Sequence, residues 1–328
     1  MDNPFTKAIA AAASAAPQGA VPVVPGRILL VDGDGLAYYC AGNDDTDAGE
    51  ARRRLINKVE TAAKAVGAER TIVLLTASGS HKGHRYAVAR VKPYQGQRTN
   101  SRRPKNWEAL RNYMTGPTPF EVDATMVAEA DDLFGWYAYN WPDDVVIYTQ
   151  DKDMRMLPGL HLDWVSHRLH KVGYTLTTCR EHYRSLNVVP HDSEFNDLQY
   201  GPRWFWLQML HGDGADNIPG LPRYVVDGKA KPFGEVTAGK LLANENLPHL
   251  RVAELYRSYY GERWLVEMME QAVLLWMRRV PDQWDDCMNP GGPLESFNDG
   301  EAVFAKAYFE IEKRVREAQN INDQAQSE

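Results

Sequence analysis

Three short runs of this chain are apolar at almost every position and end at an acid or a small polar residue. They are Arg27-Ile-Leu-Leu-Val-Asp32, Thr71-Ile-Val-Leu-Leu-Thr76 and Val145-Val-Ile-Tyr148. A strand with one wet face alternates polar and apolar residues. An unbroken apolar run of four to six residues is a strand buried on both faces. Between the first two runs, Leu55, Val59, Ala62 and Val66 recur at helical spacing over Arg52–Val66. Strands alternating with helices predict an α/β fold with a parallel-rich central sheet flanked by helices. In such sheets ligands sit beyond the carboxyl ends of the strands, so the residues just past each strand are informative. A fourth strand is expected at Leu162–Val165 and an apolar helix at Trp204–Leu210. Trp264, Val266, Met269, Val273 and Trp276 form an apolar stripe on Glu262–Arg279, expected to pack a C-terminal helix against the sheet domain.

At 328 residues the chain can bury a sizeable core without disulfides or a structural metal. Cys40, Cys179 and Cys287 form no CxxC pair. That argues against a thiolate zinc site and a secreted disulfide framework, and a reducing cytoplasm fits. No apolar run approaches the roughly 18–20 residues of a membrane span. The formal net charge is −7, which excludes a uniformly basic nucleic-acid coat but not a local basic patch.

The acids cluster where a ligand would bind. The first strand runs into Asp32-Gly33-Asp34-Gly35, and the third into Asp151-Lys152-Asp153. Before the third lies Glu129-Ala130-Asp131-Asp132, in a stretch whose Val127, Ala130, Phe134 and Tyr137 share one helical face and leave the acids on the other. From Glu121 to Asp144 there are seven acids and no Lys or Arg. Taken singly, such acids are commonly solvated faces or helix caps. Three clusters at one sheet edge instead call for a neutralising cation. Oxygen donors without His or Cys suit magnesium or manganese. A fourth cluster comes after the Trp204–Leu210 helix, in His211-Gly212-Asp213-Gly214-Ala215-Asp216-Asn217-Ile218-Pro219-Gly220, with two acids three residues apart in a compact turn.

Between the acids, His81–Tyr113 holds nine basic residues (Lys82, Arg85, Arg90, Lys92, Arg98, Arg102, Arg103, Lys105, Arg111) and one acid, Glu108. Tyr86, Tyr94, Trp107 and Tyr113 are interspersed. Cations track phosphates and aromatic rings stack on unpaired bases, so this segment is a candidate nucleic-acid contact as well as a candidate solvated loop. Gly234–Lys240 has the spacing of a phosphate-binding loop, but Leu241 stands where a Ser or Thr would hold magnesium, and no strand is expected before it.

In order along the chain, the strand ending in Asp32, the basic segment closing in Tyr94-Gln95-Gly96-Gln97-Arg98, then EADD, QDKD and GDGADNIPG resemble the flap endonuclease or 5′-nuclease superfamily. The layout is most similar to its phage-encoded 5′–3′ exonucleases. The resemblance spans most of Arg27–Asn244, with an insertion over Arg223–Pro232. It implies two divalent ions, Mg2+ or Mn2+, with Asp32, Glu129, Asp131 and Asp132 in the first acidic group and Asp151, Asp153, Asp213 and Asp216 in the second. It also implies Arg98 near the reacting phosphate. DNA contacts would come from Lys82, Arg85, Arg90, Lys92, Arg102, Arg103, Lys105, Gly212, Gly214, Asn217, Gly220 and Lys240, with a monovalent ion at the 212–220 turn as a further candidate ligand.

The implied organisation is a flexible arm over 1–26 and a metal-binding α/β nuclease domain over 27–200, with a basic arch at 79–120. A helix-three-turn-helix DNA-binding subdomain occupies 201–260, then a C-terminal helical region 261–316 and a disordered tail 317–328. The implied activity is metal-dependent hydrolysis of duplex or 5′-flapped DNA, or RNA–DNA hybrid, by a monomer in the cytoplasm of a phage-infected host. Two departures stand out. Ala77 and Ser78 lie where the family has an acid, so that Asp34 or a water fills that position or the ion there binds weakly. Gln95 replaces a lysine that meets the scissile phosphate, with Lys92 or Arg98 as the nearest substitutes. These departures keep a second reading open, a catalytically weakened protein that binds DNA structures.

Overall fold

The apolar runs pair as a single sheet. A computed structural model of the chain describes residues 21–100, 102–172, 184–185, 200–226, 229–231, 233–243, 245–298 and 302–327. Positions 1–20 of the expected arm and Cys179 lie outside the described residues; Cys40 and Cys287 are buried free thiols. Strands β1 (Ile28–Asp32), β2 (Arg70–Thr76), β3 (Glu121–Thr125), β4 (Val145–Tyr148) and β5 (Gly159–Leu162) run parallel. β6 (Leu169–Val172) and β7 (Arg184–Ser185) continue the sheet antiparallel. The strand order is β3-β2-β1-β4-β5-β6-β7. The chain therefore builds outward from β1 in one direction and from β4 in the other, and the crevice between their carboxyl ends is the switch point at which such sheets bind ligands.

β3 was not anticipated because Glu-Val-Asp-Ala-Thr carries no apolar run. It is an edge strand, tied to β2 by a two-pronged Arg70–Glu121 pair with Nε–Oε1 at 2.8 Å. β5 lies three residues before the expected Leu162–Val165. Asp163 there closes a turn, its Oδ1 accepting the amides of Val165 and Ser166 at 3.0 and 2.6 Å, which ends the strand.

Helix α1 (Gly33–Cys40) starts directly from β1, and Asp32 caps it by accepting the Gly35 amide at 2.7 Å. Helix α2 (Ala48–Val66) starts earlier than its apolar pattern because Asp47 caps it, and it stops at Gly67 in the left-handed region. Odd and even residues of the central strands serve two cores. Leu29, Val31, Val73, Leu75, Val146 and Tyr148 pack with α1, α2 and α4 (Trp107–Met114); the short α3 (Arg85–Val88) lies between α2 and α4 in the chain. Leu30, Ile72, Leu74, Val145 and Ile147 pack with α5 (Ala130–Asn140) and with the helices beyond the sheet.

Those helices are α6 (Pro202–His211), α7 (Glu235–Leu242), α8 (Pro248–Tyr260), α9 (Trp264–Leu275) and α10 (Ala302–Ser327). α9 is more than a stripe. Every residue from Leu265 to Leu275 except Glu267 is buried, and the helix is enclosed by α6, α8 and α10. Its buried Glu270 accepts the amides of Arg90 and Val91, each at 2.9 Å, and pairs with Arg314 at 2.6 Å. One continuous core thus runs from the sheet through the 201–316 helices and anchors the start of the basic segment. The segment expected as an insertion, Arg223–Pro232, carries a hairpin, β8 (Tyr224–Val226) with β9 (Lys229–Lys231). Glu317–Glu328, expected as a disordered tail, continues α10 as far as Ser327. No helix among the described residues is long and apolar enough to cross a membrane.

Candidate metal centre and nucleic-acid interface

The carboxylates meet at the switch point. Thr149, just past β4, donates its hydroxyl to Asp32 at the end of β1 at 2.8 Å, bridging the crevice. Asp151 caps the next turn by accepting the Asp153 amide at 2.9 Å, which fixes both side chains at the same edge. Burial, then the charges of Asp151, Glu129, Asp32 and Asp216, push Asp131 well above the usual carboxylate range. Asp131 thus feels carboxylates of both acidic groups. The protein around Asp151 raises its carboxyl to about 6, with Asp32 adding to the effect. Asp153, Asp213 and Asp216 each present a carboxylate oxygen within 4.8 Å of the others. Burial and the neighbouring Asp151 and Asp213 raise Asp153. For Asp213 burial is outweighed by hydrogen bonding to Asp153 and by Lys152, which hold it below the usual range.

The turn that presents Asp213 and Asp216 closes on itself. Asp213 and Ile218 exchange both backbone hydrogen bonds at 2.8 Å, and Asp213 Oδ1 accepts the Ala215 amide at 2.9 Å. Gly212 and Gly220, expected as DNA contacts, are buried back to back. Gly212 has φ +73°, and a Cβ there would meet the Ile218 carbonyl oxygen at 2.2 Å. Glycine at both positions permits the close approach that the turn requires. Gly214 is exposed with open space beside it.

The basic segment is pinned onto this turn. Gln95 N donates to the Asp216 carbonyl at 2.8 Å, and Gln97 Nε2 donates to the carbonyls of Gly214 and Ala215 at 2.7 and 2.6 Å. Asn217 Nδ2 donates to the Pro93 carbonyl at 2.8 Å, so this side chain holds the basic segment against the turn. Arg98 pairs with Asp216 and donates to the Ala215 carbonyl at 3.1 Å.

Tyr94 and Gln95 link the two acidic groups. The Tyr94 hydroxyl donates to Glu129 at 2.6 Å and lies 3.0 Å from Asp216; Gln95 Nε2 reaches the same pair at 3.3 and 3.0 Å. Burial and the Glu129 and Asp216 charges push Tyr94 well above its ordinary value, so it stays a hydroxyl donor. The sequence offers Tyr94 as a ring of the basic segment, but neither its tie to the acids nor the role of Thr149 has a local sequence signal.

Two expected site residues stand elsewhere. Asp132 is fully buried, and both its oxygens are taken by Arg85, at 2.7 and 2.8 Å, with the Arg278 amide at 3.2 Å. It also accepts the Glu129 amide at 3.1 Å as half of a capping box. Burial would raise it, but the Arg85 and Arg278 charges reverse that and hold it low. Asp132 therefore offers no free oxygen to a metal, and Arg85, 1% exposed, offers no surface to DNA. The helical face drawn from Val127 fails for the same local reason: α5 begins after its cap Glu129, leaving Val127 exposed outside it.

At the first departure, Asp34 accepts the Thr76 amide at 3.0 Å, one residue before Ala77, and its carboxylate pairs with Arg111. The cation nearest Gln95 is neither Lys92 nor Arg98. Lys82 hydrogen-bonds Gln95 Oε1 and lies 3.3 Å from Glu129 Oε1. Arg90, Lys92 and Lys240 are exposed. Arg102 and Lys105 reach the Asp44 side chain and carbonyl at 2.9 and 3.1 Å, and Arg103 stacks on Trp107 at 4.2 Å.

No protein-family model and no curated protein sequence matches this chain. Solved structures do. An aspartate-to-lysine pseudo-enzyme form of the bacteriophage T5 flap endonuclease, complexed with product DNA and metal ions, matches with a TM-score of 0.51 at 17% identity, covering 88% of this chain and 99% of that one. A second phage T5 structure, co-crystallised with metal ions, aligns at 0.48 and 16% identity over the same shares. With nearly the whole of the solved chain superposed on this sheet and the helices packed beneath it, the chain has the fold of the flap endonucleases.

Proposed function

We propose that this protein is a divalent-metal-dependent nuclease that hydrolyses phosphodiester bonds of duplex DNA bearing a 5′ end or 5′ flap. RNA–DNA hybrid is a further candidate substrate, and phage DNA metabolism the setting. One observation carries the reading. Seven carboxylates from separate stretches of the chain converge at the switch point, and the base of a basic segment is pinned over them. The donor set fits Mg2+ or Mn2+, since it consists only of oxygens crowded enough to raise several of their pKa values. Asp32, Glu129 and Asp131 would hold one ion, and Asp151, Asp153, Asp213 and Asp216 the other. Such ions supply charge neutralisation at the phosphoryl group and an acidified water. Lys82, at the lip beside Glu129, holds a fixed positive charge for the phosphate in place of the lysine that Gln95 replaces. Tyr94 and Gln95 keep the two acidic groups in register. The fold match to a flap endonuclease solved with DNA and metal ions supports this reading.

The exposed arch cations would track the DNA backbone. Replacing Arg102, Arg103 and Lys105 together with Ala is expected to weaken DNA binding and to lower the salt slope by roughly two to three, about 0.9 per lost phosphate contact. Affinity measured across a salt series checks this, and an unchanged slope places the segment off the DNA.

The binding-protein reading has its own support in the missing acid near Ala77. Product analysis separates the two. A flapped duplex labelled at the 5′ end in one sample and at the 3′ end in another should release short 5′-labelled products and long 3′-labelled ones in Mg2+. Tight binding with no cleavage across a wide range of Mg2+ and Mn2+ would establish the binding protein instead.

A further inference from the structure

Within the second acidic group, Asp153 and Asp213 already share a cation. The chain reads Asp151-Lys152-Asp153, and the short helical turn that begins at Lys152 folds its side chain back across the crevice. The Lys152 ammonium lies 2.6 Å from Asp153 Oδ1 and 3.0 Å from Asp213 Oδ1. Asp153 and Asp213 are buried, their side chains 9% and 2% exposed, whereas the Lys152 side chain is 39% exposed. The two acids are therefore fixed and the lysine is the part free to move. Asp153 is held further by Gln208, whose Nε2 donates to the same Oδ1 at 2.6 Å. The same two acids, with Asp216, are the set whose oxygens lie within one coordination sphere of each other.

A divalent ion bridging Asp153 and Asp213 would need the space and the charge that the ammonium takes. We propose that Lys152 is a tethered counter-ion of this pair that competes with the divalent ion, so that an ion enters the second group only as Lys152 swings out to solvent. The proposal rests on the metal-dependent reading of the site and specifies how that site is loaded. The empty pair avoids the repulsion of two buried carboxylates, because the ammonium neutralises it. Loading costs the broken ion pair and leaves a positive charge near a dication, so affinity at this group is lowered. The stem of Lys152 is long enough to leave without moving the backbone, and phosphate oxygens arriving at the crevice would offer the displaced ammonium a new partner.

The test reads metal binding by the whole chain without DNA. Mn2+ would be titrated calorimetrically and by the paramagnetic resonance of the free ion. Lys152→Met keeps the stem and removes the charge. It should bind Mn2+ on the order of tenfold more tightly at one site, while Lys152→Arg should stay as weak as the wild type. Lys152→Gln, a polar replacement, should behave like Lys152→Met and covers the case in which the methionine variant fails to fold. Unchanged or weaker Mn2+ binding in folded Lys152→Met and Lys152→Gln overturns the competition, and so does an equal gain in Lys152→Arg. Tighter binding together with an absence of cleavage in every variant would sustain the competition and sink the nuclease reading. Cleavage by the wild type with unaltered Mn2+ affinity in the neutral variants would do the reverse.

Discussion

Asp153→Asn and Asp213→Asn are each expected to lower the cleavage rate by about a hundred- to a thousandfold or more while leaving the fold intact. Both positions contribute oxygens to the compact group with Asp216, and both are buried. Electrostatic stabilisation of this kind commonly accounts for the largest single share of catalysis, and each lost anionic ligand weakens cation binding. The fold should survive because the retained amide oxygen still accepts the Gln208 Nε2 hydrogen bond at position 153 and the Ala215 amide at position 213. Single-turnover rates on a flapped duplex, with melting curves alongside, check the result. A loss below fivefold in either variant would take that residue out of the reacting group.

Asp132→Ala is expected to act on stability instead, by about 3–5 kcal/mol in urea unfolding, because it strands two buried guanidinium groups. Arg85 would lose both its hydrogen bonds to Asp132, keeping the main-chain carbonyls of Leu274 and Trp276 and the more distant Glu129. Since Asp132 is held low in the folded protein, its share of stability is complete above the unfolded carboxylate value of about 4. That share is lost as pH falls through the lower folded value. The folded fraction of the variant should bind Mn2+ with the stoichiometry of the wild type. A stable variant that has lost one ion would restore Asp132 to the metal group.

The contrast between these two kinds of acid marks what a sequence carries. The strands ending in Asp32 and Tyr148 were legible because burial on both faces leaves no polar residue in the run. They in turn located the sheet edge at which Asp32, Asp131, Asp151, Asp153, Asp213 and Asp216 gather. Glu129 and Asp132 lie three residues apart and looked equivalent. Their roles diverge because α5 starts between them, which turns Asp132 inward to Arg85 and leaves Glu129 beside Lys82, Tyr94 and Gln95. Nothing local in EADD encodes that; it depends on Arg85, 47 residues away. The charge of the basic segment was legible, but not its division into buried Arg85, site-facing Lys82 and exposed Arg102, because that division depends on where α9 packs. Lys152, a base between two acids at a strand end, is itself a local signal of the ion pair found there.

Metal dependence tests the central claim most directly. Protein stripped with a chelator and incubated with 5′-labelled flapped duplex should leave the DNA intact, and adding Mg2+ in excess should restore cleavage. Cleavage undiminished in excess chelator would contradict the assignment of the carboxylate cluster as a metal centre.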